Sequence, residues 1–482
     1  MERFKVYING VFREAYSSEF SAVNNPATGK IVYEVPKCDA REVHESIEAA
    51  YKAQKEWCKI TAVERGNYLR RLAEKVMENA DDLAVILSKE QGKTLHQSMG
   101  EITGATGLIE YHANWDRRIE GEILAGDNSN KENIMIFKEP IGVVACIMPW
   151  NFPVYVLFRK IAPALLAGCT VVCKPSGETP ASTLAIAKII DEVGFPAGTV
   201  NFISGKGSVI GEAIARNPKV DMITVTGSVE TGQEIIRASS DNVCKVSLEL
   251  GGKAPAIVME DADLELAADC VVGSRLGNAG QICNCAERLY VHQNIAEKFI
   301  NMIKERMAAA TYGDGIDNPE HTMGAMINKE ATIRVHNMVE RAVAAGANII
   351  LGGFLPEGSG AFYPPTILIN VSQKSEIMQE EVFGPVLPVA TFKTANEALQ
   401  LANDCKYGLT SSLYTNDYNT IMLFSNNIEF GELYVNRQQG EAYHGYHAGW
   451  KLSGIGGDDG KHGFQEFLKT RAVYMNYKTD LY

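Results

Sequence analysis

An α/β fold with two separate cores is predicted by three features: the chain's length, and two successive series of strand-like runs alternating with helix-like stretches. At 482 residues the chain exceeds what one hydrophobic core holds, since single cores stop growing near about 250 to 300 residues. From about 141 onward the runs IGVVACI, TVVCKPS, GTVNFIS, DMITVTGS and KVSLELGG alternate with RKIAPALLAG, STLAIAKIIDEVG and SVIGEAIARN. Parallel neighbours need crossover connections, so this alternation predicts a parallel, doubly wound layer. A second series from about 255 to 440 carries strand candidates APAIVM, RLYVHQ and NIILGG and a helix candidate over 294–310, and predicts a second layer.

The remaining elements follow in chain order. Residues 62–94 place Leu69, Leu72, Val76, Leu83 and Leu87 at helical spacing amid charge, which predicts one or two surface helices. EILAGDNSNKENIMIFKEPI, at 122–141, has the pattern of a hairpin with a polar tip. RAVYMNY near the end reads as a further strand. Both fall outside the two series and are expected as edge strands seeking partners, including partners on another subunit.

Composition narrows the function classes. A formal charge of −13 repels phosphate backbones and anionic lipid, which argues against nucleic-acid and membrane partners. The first ten residues, MERFKVYING, carry charge and no apolar core of a signal peptide, and no run of about 18 apolar residues occurs. The expectation is a cytoplasmic, unprocessed protein. Ten irregularly spaced cysteines do not form the dense framework of a small secreted domain, so each is expected free unless its neighbours argue otherwise.

Several motifs turn out to be incomplete. Gly205, Gly207 and Gly211 sit between a strand and a helix, but the third glycine is one position late for G-x-G-x-x-G, so a tight turn competes with a phosphate cradle. Neither a G-x-x-x-x-G-K-[ST] loop nor a G-x-S-x-G elbow is present. Cys283 and Cys285 stand at C-x-C spacing with no second pair and no neighbouring histidine pair, so no metal is expected to be held there. Taken alone, Cys283 reads as a buried inert thiol and Asn151 as a turn residue.

Six separated motifs change that reading. Gly280, Gln281, Ile282 and Cys283, with Arg288 five positions on, resemble the active-site motif of the aldehyde dehydrogenase superfamily. LELGGK at 248–253, PWNFP at 149–153, KPS at 174–176, TGSVETG at 226–232 and EEVFGP at 380–385 resemble its other motifs, in order and across nearly the whole chain. The resemblance implies the aldehyde dehydrogenase fold: a Rossmann-like NAD(P)-binding domain over 1–121 and 142–252, an α/β catalytic domain over 253–453, and an oligomerisation element over 122–141 and 454–482. It also implies a homodimer or homotetramer.

By the same resemblance Cys283 is the nucleophile, Glu249 the general base and Asn151 an oxyanion donor. The resemblance also assigns Lys174 to the adenosine ribose, Ser228 and the N-terminus of its helix to the pyrophosphate, and Glu381 with Phe383 to the nicotinamide end, with Trp150, Ser176 and Gly227 as further cofactor-binding residues. The cofactor is expected to be NAD, with NADP possible. Many NAD-preferring members carry a glutamate three residues after the lysine, and here Gly177 stands there with Glu178 next.

On the substrate side, the resemblance places Arg159, Asn284, Glu441 and His447 at positions that line the family's aldehyde tunnel, and their polarity favours a substrate with hydrogen-bonding groups of its own. CNCAER, KAPAIVM, YHAGW and GIGGDDGKHG are most similar to members that oxidise lactaldehyde and glycolaldehyde. The expected activity is oxidation of such a short 2-hydroxyaldehyde to the acid, through a cysteine thioester hydrolysed by glutamate-activated water. Alternatives are a succinic-semialdehyde type of enzyme with Arg159 as carboxylate anchor, a CoA-acylating relative, and a non-enzymatic structural relative. A structural Arg159–Glu441 ion pair and a packed His447 are the plain readings of those side chains.

Overall fold

The computed structural model describes residues 2–127 and 131–478. Its first large sheet has eight strands in the order Gly454–Ile455, Lys245–Glu249, Met222–Thr226, Val143–Ile147, Thr170–Lys174, Val200–Phe202, Val6–Ile8, Val11–Arg13. The five strands from Lys245–Glu249 to Val200–Phe202 are mutually parallel. Val143–Ile147 and Thr170–Lys174 are buried along their whole length, as expected of strands covered on both faces. The chain winds outward from Val143–Ile147 in one direction and returns to its other side with Met222–Thr226. That reversal of strand order is where open parallel sheets bind ligands, beyond the carboxyl ends of the strands.

The second sheet runs Asn348–Leu351, Thr366–Ile369, Val386–Phe392, Arg288–His292, Pro255–Val258, Thr410–Tyr414, Glu432–Val435, parallel except for its first strand. Its core, built on Ile257, Leu289, Tyr290, Leu387 and Leu413, is distinct from the cores around the first sheet. NIILGG is therefore a strand as expected, but an antiparallel edge rather than a member of the parallel series. The 62–94 segment forms two helices, Ala62–Glu78 and Ala80–Gln91. Their leucine faces are buried against the helices Leu95–Ala113 and Ala181–Val193.

The two unassigned strands find each other. Glu132–Pro140 pairs antiparallel with Leu468–Asn476 over its full length and with Glu122–Ala125 on its other side. Neither needs another subunit for its first partner, because the C-terminal strand returns to lie beside the hairpin. The hairpin tip, 128–130, and residues 479–482 lie outside the described residues. The stretch 454–482 also divides. Gly454–Ile455 extends the first sheet beside Lys245–Glu249, and Phe464 and Phe467 enter its core, so only the strand from Leu468 onward belongs to the three-stranded sheet. Among the described residues no helix is long and apolar enough to cross a membrane.

Candidate active site

A cleft of about 1230 Å³ opens at the carboxyl ends of the first sheet's parallel strands and is closed on its far side by the second half of the chain. Each strand delivers its next residues into it: Pro149, Trp150 and Asn151 after Val143–Ile147, Lys174 and Ser176 at the end of Thr170–Lys174, Gly227 and Ser228 after Met222–Thr226, and Glu249 and Gly251 at the end of Lys245–Glu249. Glu381, Phe383 and Cys283 come from the other half. All ten residues expected to be catalytic or to touch the cofactor thus line one cavity. Gly207, Ser208 and Gly211 line it too, so the incomplete glycine motif contributes a wall of the cleft.

One end of the cleft carries the groups that suit a phosphate-bearing dinucleotide. Ser228 caps the helix Val229–Ser239 by accepting from the Thr231 N–H at 3.2 Å, and this places the helix N-terminus and its free N–H groups at the cleft wall. Burial pushes Lys174 down to about 8. Glu381 accepts from the Gly252 N–H at 2.8 Å, and burial together with the charge of Glu287 raises its carboxyl to about 8. Trp150 and Phe383 meet edge to face, with ring centroids 5.3 Å apart.

Glu287, which no sequence motif singles out, holds the 381–383 segment in place. Its carboxylate takes the N–H groups of Val382 at 2.9 Å and Phe383 at 3.1 Å, and is paired with Lys253 at 2.7 Å and Arg275 at 2.8 Å. Burial opposes its charge, and those two cations outweigh burial, holding its carboxyl down to about 2. Phe383 itself sits at a φ of 51°, a left-handed conformation braced by the Glu287 bonds to its own N–H and to that of Val382.

The turn carrying Cys283 is strained. Asn278, Ala279 and Gly280 all take positive φ, at 45°, 54° and 71°. A Cβ on Gly280 would strike the Gly384 carbonyl, so glycine is required there both for conformation and for close approach. Gly252 has a different reason. A Cβ there would collide with the carbonyl oxygen of Cys283, which packs directly onto the LELGG segment.

Cys283 Sγ, a Glu249 carboxylate oxygen and a His447 ring nitrogen all lie within 4.8 Å of one another. His447 Nε2 is 3.3 Å from Glu249 Oε1. Burial and the charge of Glu249 push the Cys283 thiol up, and His447 works in the opposite direction. Glu249 is held below the ordinary carboxylate range, because the hydrogen bond and charge of His447 overcome its burial. Asn151 donates from Nδ2 to the Gln281 carbonyl at 3.0 Å, which aims its amide at the Cys283 turn. Cys285 faces away: its thiol donates to the carbonyls of Ile282 at 3.0 Å and Gly280 at 3.5 Å.

The loop presenting Asn151 is anchored from beneath. Glu101 Oε1 accepts from the N–H groups of Val154 at 2.9 Å and Tyr155 at 3.1 Å, capping the helix Pro153–Ala167 in place of an N-cap side chain. Lys93 pairs with Glu101 and donates to the Asn151 carbonyl at 2.8 Å. Neither residue was identifiable from the sequence, because their motif partners lie about fifty residues downstream.

The four residues expected on the substrate side converge in one network. Asn284 donates to Glu441 at 2.6 Å. Arg159 lies 3.6 Å from Glu441, and His447 Nδ1 lies 3.1 Å from it. Two further carboxylates complete the network: Asp459 takes the Arg159 fork at 2.7 and 3.2 Å, and Glu432 accepts from His447 Nδ1. Arg159 and His447 are buried, at 5% and 0% exposure, and lie behind Cys283 and Glu249 rather than along the cleft. The Arg159–Glu441 pair foreseen as the plain reading is therefore present, with Asp459 as the nearer partner. Arg288, the motif arginine, donates to the carbonyls of Lys253 at 3.0 Å and Ala402 at 2.8 Å, and so supports the scaffold rather than the cleft.

Comparison with known proteins agrees with this architecture over the whole chain. The aldehyde dehydrogenase family model matches residues 12–473. Lactaldehyde dehydrogenase of Escherichia coli (strain K12) is 46% identical over 470 residues, covering 98% of each chain. Its crystal structure superposes with a TM-score of 0.97, over 98% of this chain and 99% of that one. The 3,6-anhydro-alpha-L-galactose dehydrogenase of Vibrio sp. (strain EJY3) is 41% identical, with 99% of this chain and 100% of that protein covered. The D-glyceraldehyde dehydrogenase (NADP(+)) of Picrophilus torridus is also 41% identical, over 98% of this chain and 96% of its own length. Six motifs meeting in one cleft, and similarity of this extent, lead to one conclusion: the chain belongs to the aldehyde dehydrogenase family and is an NAD(P)-dependent oxidoreductase.

Proposed function

We propose that the enzyme oxidises a short 2-hydroxyaldehyde, lactaldehyde or glycolaldehyde, to its carboxylic acid. The observation that carries this reading is the meeting of Cys283, Glu249 and Asn151 at the inner end of the cleft, backed by the Asn284–Glu441–Arg159–His447 network. An aldehyde cannot readily release hydride while trigonal, so Cys283 gives its S–H proton to solvent and its thiolate Sγ first adds to the carbonyl carbon. The oxygen becomes an alkoxide, for which the Asn151 amide and the Cys283 N–H are the donors; Asn151 spends one N–H on Gln281 and keeps the other. NAD(P) bound in the cleft supplies the hydride acceptor. Glu249, ionised, then takes a proton from the water that attacks the thioester, releasing the acid and the Cys283 thiol.

The Lys174, Ser176 and Ser228 side chains, with Trp150, Glu381 and Phe383, are the residues we assign to holding that cofactor. Gly177 faces open space and brings no carboxylate against a 2′-phosphate, which supports acceptance of NADP beside NAD. Asn284 and Glu441, the partly buried members of the polar network, are the groups that favour a small polar substrate. Arg159 is already forked onto Asp459, which weakens its claim as anchor of a semialdehyde carboxylate. A reducing, cytoplasmic setting suits a reaction that depends on a free thiol.

The test is initial-rate cofactor reduction with L-lactaldehyde, glycolaldehyde, succinic semialdehyde and a long apolar aldehyde, each with NAD and with NADP. The highest kcat/KM is expected for the hydroxyaldehydes. A preference for the semialdehyde would return Arg159 to the role of anchor, and a preference for the apolar aldehyde would show that the polar network faces away from the substrate.

A further inference from the structure

The convergence of a thiol, an imidazole and a carboxylate is a donor set that the oxidation does not require in full. Among the described residues, two groups of three potential ligands occur, and only the Glu249–Cys283–His447 group contains a cysteine. Thiolate, imidazole and carboxylate are the ligands of zinc, and three protein ligands with one open position characterise its accessible sites. With zinc bonds of about 2.0–2.3 Å, adjacent ligand atoms of a tetrahedral site stand roughly 3.3–3.7 Å apart. The 3.3 Å between His447 Nε2 and Glu249 Oε1 already meets that spacing, and Cys283 Sγ lies within 4.8 Å of both.

A second observation, on the other side of the ring, points the same way. His447 Nδ1 is engaged by Glu432 and by Glu441 at 3.1 Å. A carboxylate on one ring nitrogen fixes the imidazole so that the other faces the ligand, which is the arrangement that supports metal-bound histidines. The charges agree as well. Glu249, Glu432, Glu441, Asp458 and Asp459 surround His447, Arg159 and Lys160, leaving an excess of carboxylates that a divalent cation would offset.

We propose that Cys283 Sγ, His447 Nε2 and one Glu249 oxygen form an inhibitory binding site for Zn²⁺, entered from the cleft that Cys283 and Glu249 line. Binding forms Zn–S, Zn–N and Zn–O bonds and breaks the S–H bond of Cys283 and the Nε2–H bond of His447. Two protons pass to solvent, and no electrons are transferred. The fourth position faces the cleft and takes water. Affinity rises with pH because protons compete with the metal for Cys283 and for His447. The groups facing that imidazole are Glu249, Glu432 and Glu441, with Arg159, Lys160, Asp458 and Asp459 behind them. The inhibition rests on Cys283 being the nucleophile, whereas the metal site does not.

The experiment titrates the chelator-stripped enzyme with Zn²⁺ during aldehyde oxidation, and separately with Co²⁺ as a spectroscopic substitute. Expected are inhibition reversed by EDTA and a thiolate-to-cobalt charge-transfer absorption. That absorption should vanish in Cys283→Ala and persist in Cys285→Ala. Affinity for both ions should fall about 10- to 100-fold in His447→Gln and in Glu432→Gln, with circular dichroism confirming that each variant is folded. Absorption that survives Cys283→Ala overturns the site. Unchanged affinity in both His447→Gln and Glu432→Gln overturns it also, reducing it to a lone thiol. Full turnover with cobalt bound to Cys283 would overturn the inhibition and the nucleophile assignment together, while leaving metal binding in place.

Discussion

At the residue scale, two cysteines two positions apart differ because their surroundings differ. Cys283 lines the cleft near His447 and Glu249, whereas Cys285 spends its thiol on the carbonyls of its own turn beside Arg275. Cys283→Ala is therefore expected to abolish aldehyde oxidation, and Cys285→Ala to retain most of it; steady-state assays of the two variants decide, and the reverse pattern would move the nucleophile. Because burial and Glu249 hold the Cys283 thiol up, its reactive thiolate fraction grows as pH rises, while Glu249, held low, is already ionised across that range. The kcat/KM profile of the wild type should climb from neutral to alkaline pH. In Glu249→Gln the thioester forms but hydrolysis lacks its base, so a burst of reduced cofactor should precede a steady rate slower by about 100-fold or more. A loss of the burst itself would show that Glu249 acts before the thioester. Gly177→Glu restores a carboxylate at a position with no atom near the added side chain's Cβ, and should lower kcat/KM with NADP more than with NAD.

At the scale of elements, the helix Pro153–Ala167 and the strand ends share one task, which is to hold short loops over the cleft. Lys93 and Glu101 are fully buried as side chains and connect the helix Leu95–Ala113 to the start of Pro153–Ala167. Lys93→Met leaves Glu101 charged and unpaired, and breaking such a buried pair typically costs about 3–5 kcal/mol. The variant should unfold at lower denaturant, and any folded fraction should lose kcat because the Asn151 carbonyl has lost Lys93 and keeps the longer bond from Asn278 Nδ2 at 3.2 Å. Unchanged stability would show that the Lys93–Glu101 pair does not hold these two helices together. The sequence revealed the strand ends because each site loop is a contiguous run of residues following a strand, as in PWNFP or TGSVETG. It did not reveal Lys93, Glu101, Glu287, Glu432 or Asp459, since their meaning depends on which distant segment folding brings beside them. The parallel core strands were legible from their continuous apolar runs; the antiparallel edge Asn348–Leu351 carries the same pattern, and nothing local distinguishes its direction.

At the scale of the molecule, the sheet formed by Glu122–Ala125, Glu132–Pro140 and Leu468–Asn476 leaves apolar side chains such as Ile123, Val473 and Tyr474 exposed. Ile123, Met135 and Val473 stand side by side across its three strands, and Ile123 and Tyr474 are 72% and 69% exposed. Among the described residues both outer strands keep an open edge. An exposed apolar sheet with two free edges is a liability in an isolated chain and a natural interface in an oligomer. The wild type is therefore expected to sediment as a homodimer or homotetramer. Ile123→Asp combined with Val473→Asp places a carboxylate on each outer strand and should shift the mass towards monomer in light scattering. Because these positions lie outside the cleft, thermal stabilisation by added NAD should survive in the dissociated variant. A wild type that is monomeric at all concentrations would defeat the interface assignment. A double variant that remains oligomeric would place the interface on another surface.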